Sequence, residues 1–287
     1  ALGLDPRRPL LVHTSLRRVG LGRRGAPALA GLLQSWAAEG QSAAVFPAFT
    51  FASEDPAGWI APAPDPRSLP ALQAAAKAYD PETTPVSAEI GSMPEYVRRL
   101  PGAVRSGHPS LSFAAVGPRA AEAVSGQPLH LPLGWQSPLG WLYSQHGAVL
   151  MIGTGFDSMT MLHLAETEAP VSYVRASWRR VRGPAGWVWF QGAPNCGRGF
   201  VKAAGALENA VLGRGLLGGA ETVALDSRLL VDLALTHLSA DPGWLLCEDA
   251  LCPFCRRHRA FLDGKIKVIL YGDTRDGGPA SPAWQPV

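Results

Sequence analysis

The apolar residues of this chain gather in short unbroken runs, separated by polar and glycine-rich turns. PLLVHTSL (9–16), SAAVFPAFTF (42–51), SLSFAAVG (110–117) and AVLMIGTG (148–155) are such runs. The first two read as buried strands, the third as another strand and the fourth as a strand that ends in glycines. Between the first two, ALAGLLQSWAAEG (28–40) sets Leu29, Leu32, Leu33 and Trp36 at helical spacing and stops at Gly40. Strand, helix, strand in that order predicts parallel pairing through a crossover. MPEYVRRLPG (93–102) predicts a short helix with Pro94 in its first turn. SPLGWLYSQHG (137–147) predicts another, with Ser137 as N-cap and Pro138 at the first helical position.

The texture then changes. VSYVRASWRRVRGPAGWVWFQG (171–192) predicts a hairpin closed by a Gly-Pro turn, which should supply antiparallel strands. A glycine-rich stretch expected to be helical comes next, then a cysteine cluster, then a strand in KIKVILYG (265–272). Residues 52–85, rich in Pro, Asp and Ala, are expected to form a long excursion of the kind that walls a binding site. The architecture expected is α/β, three-layered, with a mixed sheet. One domain should cover 1–287, with the excursion at 52–85 and a divergent cysteine-containing segment at 191–287.

Composition narrows the class. With 287 residues, 47% apolar and 17% charged, the chain can bury a real core and is not a disordered segment. A net charge of +3 gives no reason to expect a nucleic-acid partner. No apolar run reaches the length of a membrane span, and ALGLDPRRPLLVHTSL lacks the charged-then-apolar order of a secretory leader. Four cysteines are few for a disulfide scaffold, so reduced thiols and a cytoplasmic location are expected.

Candidate chemistry centres on GTGFDSMTMLHLAE (153–166). His163 and Glu166, three apart, share one face of a helix that Asp157 or Ser158 would cap, with Met161, Leu162 and Leu164 packed around the ring. A carboxylate beside an imidazole fixes its tautomer and stabilises the imidazolium, which suits a general base. Taken from these two residues alone, a structural hydrogen bond is the commoner meaning of such a pair. The glycine turn before the helix can bind phosphate through backbone N–H groups, but it is neither GxGxxG nor a P-loop. CEDALCPFCRRH (247–258) spaces Cys247, Cys252, Cys255 and His258 as a candidate Cys3His structural zinc site, with buried thiols as the alternative. Cys196, in APNCGRGF (193–200), is a rival nucleophile for acyl-enzyme chemistry, with His163 as its base.

Several separated stretches, read together, resemble the aminoglycoside 3-N-acetyltransferase (antibiotic N-acetyltransferase) family. They are LLVHTSLRRVG (core 11–20), FPAFTF (46–51), DPETTP (80–85), IGSMPEYVRRLPGAVRSGHPSLSFAAVGP (90–118), SPLGWLY (137–143) and VLMIGTGFDSMTMLHLAE (149–166). The match covers the first 170 residues well and the remainder poorly. The resemblance implies that family's fold and an enzyme moving an acetyl (acyl) group from acetyl-CoA to an amine. The amine is that of an aminoglycoside, in antibiotic resistance or biosynthesis, or another amine of natural-product biosynthesis. It implies that His163 and Glu166 activate the substrate amine. His13, Thr14, Ser15 and Leu16 become expected coenzyme contacts, with Ser137 beside them. Asp80, His108 and Asp157 are candidate substrate-side residues; for Asp80 a turn cap, and for His108 a structural hydrogen bond, are the competing readings.

The chemistry fits. An alkyl amine is protonated at pH 7, and an oriented neutral imidazole can take its proton as the nitrogen attacks the thioester. Backbone N–H groups of the Thr14–Ser15 turn are candidate donors to the carbonyl oxygen. No covalent acyl-enzyme is required, so a ternary complex is expected. Partners are then the small amine and coenzyme A, with no nucleic acid and no membrane; the oligomeric state is not legible. Two features sit less easily. A polycationic acceptor wants acidic walls, and the excursion offers only Glu54, Asp55 and Asp65. Arg7, Arg8, Arg17, Arg18, Arg23 and Arg24 crowd the first strand and its turn, where they either meet coenzyme phosphates or form a solvated surface. A non-catalytic coenzyme-binding protein is the remaining rival, against which the intact His163–Glu166 pair argues.

Overall fold

The computed structural model describes residues 2–21, 25–192, 194, 196–275 and 277–279. The chain begins β1 (Leu10–Thr14), α1 (Leu16–Val19), α2 (Gly25–Glu39), β2 (Ala44–Pro47). α3 (Leu69–Ala75), α4 (Ser92–Val97), β3 (Val104–Arg105), β4 (Phe113–Val116) and α5 (Ala120–Val124) follow. Next come α6 (Pro138–Ser144), β5 (Ala148–Ile152), α7 (Leu162–Glu168), β6 (Ser177–Gly183) and β7 (Gly186–Gln191). β8 (Val211–Leu217), β9 (Ala220–Asp226), α8 (Ser227–Ala240), α9 (Pro253–Leu262) and β10 (Ile269–Tyr271) complete it.

Seven strands form the main sheet in the order β3-β4-β2-β1-β5-β9-β8. β1 runs parallel to β2 and β5, and the outer strands pair antiparallel, so the sheet is mixed. Alternation along its strands builds the three layers. Leu10, Val12, Phe46, Leu150 and Ile152 point to one face, where Leu29, Leu33 and Met93 of α2 and α4 meet them. Leu11, Val45, Val149 and Met151 point to the other, against Leu139, Leu142, Leu162 and Leu230 of α6, α7 and α8. The uninterrupted runs of the sequence are therefore central strands covered on both faces.

Two expectations change. The hairpin β6–β7 does not join the main sheet; it forms a second sheet with β10, which runs parallel to β6. The antiparallel strands of the main sheet are instead β8 and β9, in the glycine-rich stretch expected to be helical. Gly213 of β8 lies against the backbone of Leu2, where a Cβ would come within 2.9 Å, so the glycines here serve close packing of the N-terminal segment.

The excursion is tied down by Asp55. Its Oδ1 accepts from Ala57 N (3.0 Å) and Gln73 Nε2 (2.9 Å), its Oδ2 accepts from Asp273 N (2.8 Å), and Arg180 lies 3.4 Å away. Asp55 N donates to Arg180 O and Arg182 N to Ser53 O, an edge contact that fixes the excursion on β6.

Candidate active site

α7 carries the histidine and the carboxylate. A 3-10 turn at Phe156–Ser158 precedes it, and the helix starts at Leu162 with Met161 before it and no side-chain cap. Asp157 and Ser158 thus belong to the turn rather than capping the helix. The apolar side chains of Met161, Leu162 and Leu164 are fully buried and hold α7 in the core.

His163 Nδ1 and Glu166 Oε2 are 2.6 Å apart, with the histidine side chain 14% exposed and the glutamate 3%. Glu166 Oε1 accepts a short hydrogen bond from the hydroxyl of Tyr173. Burial first, and then the charge of Glu166, push the Tyr173 phenol well above its ordinary range, so it stays a donor. A carboxylate filled on both oxygens can only accept from Nδ1–H, which leaves Nε2 as the basic nitrogen of His163. The edge of Phe200 packs against the ring at 5.0 Å. Neither Tyr173 nor Phe200 carries a sequence signal: both reach the site across turns, Tyr173 after Pro170 has ended the helix.

Two cavities lie in this part of the fold; neither is lined by His163 or Glu166, though His13, which feels the charge of His163, lines the first. One, of about 480 Å³, lies beyond the carboxyl ends of β1, β2 and β5, where His13, Thr14, Ser15 and Leu16 line it with Arg17, Arg18, Gly153 and Asp157. Gly153 is required at its turn: φ is +64°, and a Cβ would lie 3.0 Å from that of Ala220 and 3.2 Å from that of Arg18. The other, of about 630 Å³, lies between the excursion and the second sheet, lined by Phe51, Glu54, Trp59, Arg179 and Phe254. Glu89 borders both. It makes no ion pair or side-chain hydrogen bond among the described residues.

His13 is buried, and burial first, then the charge of His163, hold it down to about 3. It is a neutral imidazole whose Nε2 has no partner among the described residues. Ser15 N donates to Ile152 O at 2.8 Å, so that N–H is not free to serve a substrate oxygen.

Other expected residues fall elsewhere. Ser137 Oγ accepts from Leu139 N and Gly140 N, which spends the hydroxyl on capping α6. Asp80 is exposed and accepts from Glu82 N and Thr83 N, closing a turn. His108 is buried: Nδ1 accepts from Ser110 N (3.1 Å) and Leu111 N (2.8 Å), and Nε2 faces Leu129 O. Burial holds it down to about 3. None of the three lines either cavity.

Among the acidic residues of the excursion, Glu54 pairs with Arg179, Asp55 with Arg180 and Asp65 with Arg67. Of the arginines, Arg7 pairs with Asp5 and Arg8 with Asp226; Arg17 and Arg18 face the first cavity, while Arg23 and Arg24 lie outside the described residues. The fourth member of the cysteine cluster is not His258. Cys196 joins Cys247, Cys252 and Cys255, and the His258 ring stacks on Tyr173 at 4.5 Å.

The chain is similar in sequence and fold to known proteins. The SPbeta prophage-derived aminoglycoside N(3')-acetyltransferase-like protein YokD of Bacillus subtilis is 35% identical over 170 residues, covering 59% of this chain and 62% of that protein. Aminoglycoside N(3)-acetyltransferase IX of Micromonospora chalcea is 46% identical over 101 residues, 35% of this chain and 36% of that one. These alignments span less than two thirds of the relatives' length. The apoenzyme structure of aminoglycoside acetyltransferase AAC(3)-IVa superposes with a TM-score of 0.74 at 30% identity, over 90% of this chain and 92% of that one. A histidine-to-alanine mutant of the same protein was solved with gentamicin C1A (TM-score 0.70, 28% identity, 90% and 92% coverage). AAC-IIIb was solved as a binary complex with CoASH (0.69, 25%, 83% and 92%). The family described as aminoglycoside 3-N-acetyltransferase matches residues 11–239, and with the fold in agreement the chain belongs to that family.

Proposed function

We propose that the protein transfers an acetyl group from a coenzyme A thioester to an amine of an aminoglycoside-type acceptor, by direct attack and with His163 as general base. The observation that carries this is the chain Tyr173–Glu166–His163, which leaves Nε2 of His163 as the nitrogen free to take a proton, close to His13 of the first cavity's wall. The cleft lined by His13–Arg18 and Gly153 suits the coenzyme, with Arg17 and Arg18 available to its phosphates. The solved complexes of relatives with CoASH and with gentamicin support the same pair of substrates.

In this reading His163 Nε2 takes a proton from the attacking nitrogen as its lone pair bonds the thioester carbonyl carbon. The carbon–sulfur bond breaks, its electron pair leaves with sulfur, and the proton passes from His163 to the thiolate. Glu166 stabilises the transient imidazolium. Tyr173 holds Glu166 in line. Direct attack gives Cys196 no role, and it sits among three other cysteines.

A second acceptor class has one observation in its favour. Glu54 and Asp55 are already neutralised by arginines, leaving Glu89 and Asp157 as the cavity-wall carboxylates without an ion pair among the described residues. That supply fits an amine with fewer charges than a typical aminoglycoside. The test is thiol release from acetyl-CoA with a panel of aminoglycosides and simpler amines, with His163→Ala alongside. Drug-dependent release that falls about 10²–10⁴-fold in the variant supports the proposal. Release only with simpler amines selects the second class, and unchanged release in His163→Ala removes the base.

A further inference from the structure

We propose that Cys196, Cys247, Cys252 and Cys255 bind one Zn(II) as a closed four-thiolate site. The four sulfurs lie within 4.8 Å of one another, and those of Cys196 and Cys252 are 3.8 Å apart. A tetrahedron with Zn–S bonds of about 2.3 Å has sulfur–sulfur edges of about 3.8 Å. A disulfide would need about 2.05 Å and would employ only two of the four. All four are free thiols.

The ligands come from three separate segments: the loop after β7, the turn before α9, and the first turn of α9 with its N-cap Cys252. Their convergence is built into the backbone. A Cβ on Gly199 would lie 2.2 Å from Leu245 O and 2.7 Å from Cys247 N, so only glycine lets the turn after Cys196 rest on Cys247. The apolar cluster around them is small: Tyr173, Val174, Leu246, Ile269 and Tyr271. Such a cluster gains from a metal staple. Binding releases the thiol protons and changes no oxidation state. The excess negative charge of four thiolates is met by the nearby positive charge of Arg198 and by Arg259, which donates to Cys247 O. The site braces the catalytic pair from two sides. Cys196 leads into the turn that carries Phe200 against His163, and Cys255 shares α9 with His258, whose ring stacks on Tyr173.

The test is zinc and iron content of the purified full-length chain, with X-ray absorption at the zinc edge. One zinc per chain in a shell of four sulfurs is expected. Protein that folds without metal and stays folded in chelator, a shell that includes nitrogen, or stoichiometric iron in place of zinc would each overturn the proposal. His258→Ala should keep equimolar zinc, and loss of metal there would restore the histidine as a ligand. Cys196→Ser should weaken zinc retention against a chromophoric chelator at least tenfold; retention equal to the parent excludes Cys196. Metal content is read without the transfer reaction, so its failure and that of the proposed function are separable.

Discussion

Tyr173 donates to the Glu166 oxygen that His163 does not use, so the carboxylate is held from both ends. Hydrogen bonds to charged groups contribute about 1.5–3 kcal/mol. Tyr173→Phe is therefore expected to lower kcat roughly 10- to 100-fold, with KM for the acceptor nearly unchanged. A fall confined to KM would place Tyr173 in binding instead. Glu166→Gln keeps the volume but removes the charge that steadies the imidazolium, and a loss of roughly 10²–10⁴-fold in kcat is expected. Glu89, unpaired between the two cavities, belongs to recognition: Glu89→Gln should raise KM for polycationic acceptors about tenfold and leave kcat for coenzyme-saturated enzyme unchanged. His163 and Glu166 were legible in the sequence because helical spacing alone puts them together. Tyr173, Phe200 and Glu89 were not, because turns and packing deliver them. The same holds for Cys196, which lies 51 positions before Cys247 and reaches it through a close approach at Gly199.

At the scale of elements, Asp55 is the excursion residue that gathers the most hydrogen-bond partners. Asp55 receives two backbone N–H groups, an amide and a guanidinium, and it is wholly buried. Asp55→Ala removes a buried carboxylate that accepts from Ala57 N, Gln73 Nε2 and Asp273 N and lies beside Arg180, and a loss on the order of 3 kcal/mol is expected. A chemical melt should register most of that loss, and limited proteolysis should cut first within 52–85. A variant as stable as the parent would mean the excursion is held by other contacts. The strands β1, β2, β4 and β5 were readable because each lies in an unbroken apolar run. β8 was not: its glycines serve close packing against Leu2, and its half-exposed face carries Arg214. The hairpin was readable as a hairpin, but nothing in two adjacent strands tells which sheet they enter. That depends on β10, 78 residues further along the chain than the last residue of β7.

The whole molecule should be sensitive to acid. His13, His108 and His258 are all held down to about 3, in each case chiefly by burial. Neighbouring charges add to it: His163 beside His13, His130 beside His108, and Arg257, Arg259 and His163 around His258. In the unfolded chain these rings titrate near about 6.5. Below that pH the unfolded state binds protons that the folded state refuses, so stability falls as pH drops from about 6.5 towards 3. Three protons give a slope of up to about 4 kcal/mol per pH unit. Urea midpoints measured from pH 7.5 to 4.5 should be flat at first and then decline steeply. A flat profile throughout would mean that the rings are solvated.

The two cavities share Glu89 but draw their remaining walls from different parts of the fold, one from the main sheet and its turns, the other from the excursion and the second sheet. In the proposed reaction this separates the doorways of the two reactants. Neither then has to wait for the other, and the spent donor can depart while the altered acceptor is still seated. It also divides the evolutionary labour: the excursion and hairpin are free to drift towards new amines while the donor's berth and the catalytic pair stand unchanged.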